Sequence, residues 1–149
     1  MPPTLIADLF FYEVDFAGLA AGVTTSSSFQ IQAQTDFRWT KGLYFADIAG
    51  AAQTLTGIVV PLVTVVITDQ GSGQTFMNSA VPVPSAFGPG MLPFILPVPR
   101  TFKGRSAVTV QVANFSAATT YNLRLTFAGQ RLYAWGAGEP STQPPANRA

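Results

Sequence analysis

The feature that most constrains this chain is a period of two. Phe10, Tyr12, Val14 and Phe16 fall on one side of an extended segment, with Glu13 and Asp15 on the other. Successive strand side chains point to opposite faces, so this spacing makes an apolar face for a core and a polar face for solvent or a partner. It recurs where Phe29, Ile31 and Ala33 alternate with Gln30, Gln32 and Gln34, and again where Phe37 and Trp39 oppose Arg38 and Thr40. Between the first two segments, Ala17 to Ser28 is rich in glycine, alanine and hydroxyl residues and reads as a turn or loop. The third strand is expected over Phe37 to Phe45, with Gly42 marking a bulge or bend.

Further along, Asp47 to Gly57 reads as a loop or one short helical turn. Ile58 to Thr68 is the most β-branched run and reads as a buried strand, with Pro61 at an edge or strand start. Asp69 to Gly73 is a turn, and Gln74 to Met77 begins the return strand of a hairpin. The proline-rich segment Val81 to Pro99 is expected to be extended and irregular, with strand pieces around Phe94 to Leu96. Ser106 to Ala113 turns Val108, Val110 and Val112 inward, and Thr119 to Phe127 does the same with Tyr121, Leu123, Leu125 and Phe127. With a turn over Ala113 to Ala118, these last two strands are expected to pair as an antiparallel hairpin.

About seven or eight strands at sandwich-like spacing, with no helical period, predict an all-β fold. The expected architecture is an antiparallel β-sandwich, jelly-roll-like, with extended N- and C-terminal arms; a single-sheet barrel is the alternative. The expected divisions are an arm over 1–8, a sandwich domain over 9–135 and an extended tail over 136–149. The tail, GAGEPSTQPPANRA, is too poor in apolar residues to offset its own ordering unaided.

Composition narrows the chemistry. The 149 residues include no cysteine and no histidine, which removes disulfides, thiolate catalysis, most hydrolase triads and most zinc sites. Charged residues make up 10% of the chain, against about 25% in an average soluble domain. Either the surface is neutral and polar, or other subunits cover much of it; the second is the expectation taken forward. The net charge of +1, with scattered basic residues, gives no footprint for nucleic acid. No apolar run reaches the ~20 residues of a membrane span, and no secretory leader is expected.

Glu13 and Asp15, roughly 6–7 Å apart on one strand face, overlap the spacing of paired glycosidase carboxylates, but neighbours on one strand more often form a solvated or subunit-facing edge. Asp69 with Gly71 and Gly73 lacks the further oxygen ligands of a calcium loop and reads as a hairpin turn. Ser26, Ser27 and Ser28 have no base. Trp39, Tyr44, Phe45, Tyr133 and Trp135 could form a stacking platform, although alternating aromatics are more often core. Arg100, Lys103 and Arg105 form the densest positive cluster, suited to a charged loop or an acidic partner surface and too small for nucleic acid. No catalytic, cofactor-binding or metal-binding residue is expected.

The FFYEVDF opening, the IQAQTDF strand, the PLVTVVITDQGSGQ hairpin, the VPVPSAFGPGMLPFILPVPR segment and the closing TTYNLRLTFAGQRLY together resemble small virion structural proteins of tailed bacteriophages, most of all head decoration or cement proteins. The resemblance lies in texture and order over roughly residues 10–133. It implies a non-enzymatic oligomer, a dimer or trimer, that sits on the capsid surface of the virion and clamps major capsid subunits together, without nucleic acid, membrane or cofactor. The contact residues expected are Pro2, Pro3, Leu5, Ile6, Phe87, Met91, Arg100, Lys103, Arg105, Trp135, Pro144 and Pro145. A head–tail connector, a tail component, or a carbohydrate- or receptor-binding sandwich are the alternatives.

Overall fold

The structure, a computed structural model, describes residues 4–50 and 59–135, with side chains over 6–50 and 59–133. Among the described residues ten strands and one helical turn occur in the order β1 (Thr4–Leu19), β2 (Thr24–Gln30), β3 (Asp36–Ile48), β4 (Val63–Asp69), β5 (Gln74–Thr75), β6 (Val81–Pro82), α1 (Val83–Ala86), β7 (Gly88–Pro89), β8 (Phe94–Phe102), β9 (Ala107–Asn114) and β10 (Tyr121–Trp135).

The strands form two sheets. In the first the order is β1-β10-β3, and the outer edge of β3 is shared by β8 and β7; in the second it is β2-β9-β4, with β5 and β6 sharing the outer edge of β4. Apart from the short parallel β3–β7 contact, every pairing among the described residues is antiparallel. The chain crosses from sheet to sheet along β1, β2, β3 and β4 and again along β8, β9 and β10. That is the wrapped order of a jelly roll, and the expected β-sandwich is the fold.

The alternation places the core. Tyr12, Val14 and Phe16 from β1, Phe37 and Trp39 from β3, Val108, Val110 and Val112 from β9, and Leu123, Leu125 and Phe127 from β10 are all buried. Tyr12 and Phe29 stack across the sheets at 5.0 Å, and Trp39 meets Phe127 at 4.7 Å. Such ring pairs add about 0.5–1.5 kcal/mol each beyond their area burial.

Several expectations are corrected. β9 and β10 are not a hairpin: β9 pairs with β2 and β4, while β10 pairs with β1 and β3. Their connection instead crosses between sheets, and Asn114 holds it. The buried Asn114 amide donates to the carbonyls of Leu19 (2.9 Å) and Thr119 (2.7 Å), while its Oδ1 accepts from the Ser116 hydroxyl (2.7 Å) and backbone N–H (2.9 Å). The second strand starts at Thr24, inside the expected loop, and stops at Gln30, because Gln34 turns the chain with φ 69°. The proline-rich segment contains the turn α1 and a strand β8 that runs on to Phe102. β8 tolerates Pro97 and Pro99 because it lies at an edge. The bulge near Gly42 is centred on Thr40, between Trp39 and Lys41, so that Trp39 and Tyr44 remain on the core side. β1 already begins at Thr4, so five residues of the segment expected as an arm, 4–8, belong to a strand. Most of the expected loop over 47–57 lies outside the described residues; β3 runs to Ile48.

Candidate partner-contact surfaces

Trp39 is 4% exposed and donates its indole N–H to the Lys41 carbonyl at 2.6 Å, while its ring also faces Phe76, Phe87 and Phe102. Tyr44 is buried as well, and desolvation pushes its hydroxyl above the ordinary tyrosine range. Two members of the possible stacking platform are therefore core. The Trp135 side chain lies outside the described residues.

On the solvent face of the first sheet, Arg124 stands between Glu13 (3.7 Å) and Asp15 (3.8 Å), reaching from the neighbouring strand β10. With Asp47, Asn122 and Phe45 these groups line a shallow open depression. Asn122 accepts from the Gly18 N–H (2.9 Å) and donates to Asp47 (2.8 Å), tying the β1 bulge to β3. An acid–base pair requires two carboxyl environments that differ. Here both carboxylates lie half exposed on one flat sheet and share one guanidinium, an arrangement that orders a surface.

Asp69 closes its turn. One carboxylate oxygen accepts the Gly71 N–H (2.9 Å) and the other the Ser72 hydroxyl (3.1 Å). Among the described residues no three His, Cys, Asp or Glu side chains come together in a metal-binding group.

The expected contact residues separate into different settings. Phe87 is completely buried, packed edge-on against Phe127 at 5.3 Å, so it is a core anchor; α1 turns it inward after the proline-bearing stretch. Met91 is 87% exposed and has exposed company in Leu92, Ile95 and Val98. The basic cluster disperses: Arg100 lies 4.4 Å over the Phe76 ring, Lys103 pairs with Asp36 at 3.6 Å, and Arg105 occupies a turn with φ 69°. Ile6 lies in β1, half-buried. The backbones of Leu5 and Trp135 are laddered opposite Ala134 and Thr4, while Pro2, Pro3, Pro144 and Pro145 lie outside the described residues.

An anchor not singled out from the sequence is Arg131. Its guanidinium makes two bonds to Asp8 (3.0 and 2.7 Å), one to the Gln32 side chain (3.2 Å), and sits 4.5 Å over the Phe10 ring. The hydrogen bond to Asp8 raises its pKa further, against the opposing effect of burial. This ties β1 and β10 to the turn after β2. The signal was long-range, with Asp8 and Arg131 lying 123 positions apart.

No protein-family model matches this chain, and no curated protein or solved structure matches it either.

Proposed function

We propose that this chain is a non-enzymatic capsid decoration protein, which binds the outer surface of a tailed-phage head and bridges major capsid subunits. The observation that carries the reading is the apolar rim formed by the β7–β8 connection and β8. Met91, Leu92, Ile95 and Val98 are 87, 76, 65 and 73% exposed, in a chain with few charges to keep such a surface free. Exposed apolar groups gathered in one segment mark a surface for association. The prolines within β8 stiffen the segment in an extended shape, which lowers the ordering cost of docking. The resemblance of the chain to virion structural proteins supplies the partner.

Quantitative mass spectrometry of purified particles tests this. The expected result is a copy number equal to, or a simple fraction of, that of the major capsid protein. A ratio of a few per cent moves the protein to the neck or tail, and absence from the particle removes the structural reading. Burial of Trp39 counts against the sugar-binding alternative, which needs exposed aromatic faces.

A further inference from the structure

The two sides of the sandwich treat their edges differently. On one side the edge positions belong to β5, β6 and β7, each two residues long, and to β8, which contains Pro97 and Pro99. Short strands and prolines both close an edge to further pairing. On the other side β2 is seven residues of mostly threonine and serine, and β1 is 16 residues without proline. Among the described residues β1 pairs only with β10, so its outer edge presents free N–H and C=O groups. Its solvent face carries Leu9, 69% exposed, and Phe11, 54% exposed. A long apolar edge of this kind is a template for another strand.

We propose that the β1 strands of two copies of this chain pair antiparallel about a two-fold axis at Phe10, making one continuous sheet across a dimer. The occupant follows from what the edge requires: a long proline-free strand with apolar residues on its solvent face. Among the described edge strands only β1 itself meets that requirement, and the segment 136–149 carries Pro140, Pro144 and Pro145. The register follows from charge. A two-fold pairing that keeps the solvent faces together is centred on a residue, and centres at Glu13, Val14 or Asp15 set carboxylates opposite carboxylates, which is destabilising. A centre at Phe11 leaves Leu9 facing Glu13. The centre at Phe10 places Leu9 of each copy opposite Phe11 of the other, twice over, sets Glu13 opposite Ala7, and leaves Leu5 opposite Asp15 only at the two ends of the pairing. It pairs residues 5–15 through about ten main-chain hydrogen bonds, ending before the irregularity between Phe16 and Leu19. This contact needs no capsid and stands or falls on the free chain.

Sedimentation equilibrium of the purified full chain is the first test, with an expected mass of twice 15.8 kDa. The double variant Leu9→Lys with Phe11→Lys changes only exposed side chains and is expected to sediment as a monomer with an unchanged circular dichroism spectrum. Because the chain has no cysteine, Leu9→Cys and Phe11→Cys chains can report the register. Their oxidised mixture is expected to cross-link, and neither chain with itself. A wild type that stays monomeric at every concentration overturns the pairing and leaves the edge to a strand of another protein. A dimer indifferent to both lysines overturns it as well, and self-cross-linking as efficient as the mixture overturns this register.

Discussion

Two residues show how closely this sandwich is fitted. A Cβ built on Gly129 would lie 1.9 Å from the Arg38 carbonyl oxygen, because the bulge at Thr40 presses the β3 backbone against β10. The Gly129→Ala variant must therefore displace main chain and is expected to cost about 1–3 kcal/mol, seen as a lower Tm. Gly90, with open space around its missing Cβ, is the matched control, and Gly90→Ala should leave Tm nearly unchanged. Asn114 is the second. Asn114→Ala leaves the Leu19 carbonyl and the Ser116 N–H short of partners inside the protein, while the Thr119 carbonyl keeps the Ser116 hydroxyl at 2.9 Å. Each unsatisfied buried group costs about 1–3 kcal/mol, so chemical denaturation should show a loss of several kcal/mol, larger than that of Gly129→Ala. Neither position was legible beforehand: Gly129 follows an uninterrupted apolar alternation, and a lone asparagine after a strand reads as a turn residue.

At the scale of elements, burial was far more legible than pairing. Val108, Val110 and Val112 face the core as their spacing predicts, and so do Tyr121, Leu123, Leu125 and Phe127. Yet the short connection between β9 and β10, which resembles a hairpin turn, joins opposite sheets. Replacing residues 115–120 with Asn-Gly, a turn that favours a two-residue hairpin, is therefore expected to abolish cooperative unfolding, because it demands a pairing the fold does not contain and deletes the Ser116 and Thr119 partners of Asn114. A true β9–β10 hairpin would tolerate or welcome that change. The segment over 81–99 was obscure for another reason. Its prolines announce extended backbone, but α1 depends on Phe87 filling the space beside Trp39 and Phe127, and Gly42 leaves room for it: a Cβ there would meet the Phe87 ring at 2.9 Å.

The whole molecule is asymmetric in its readiness to associate. One side ends in short or proline-bearing strands with an apolar rim, and the other in the open edge of β1. At both surfaces the groups expected to meet are apolar side chains or main chain, so association through either should persist at ~1 M salt, where exposed ion pairs are screened within about 3 Å. Dissociation of the purified chain on raising sodium chloride, followed by sedimentation, would assign the contact to ion pairs instead. The sequence by itself determined the β class, the inward residues of the long strands and the lack of histidine and cysteine chemistry, because side-chain period and residue type are local properties. Only the tertiary structure decided which strands pair, which aromatic residues are anchors and which edge stays open. A period of two identifies the buried face of a strand and carries nothing about its neighbour. That neighbour is chosen by closure of two sheets over one core, through contacts such as Asp8–Arg131 and Asn114–Leu19 that join distant parts of the chain.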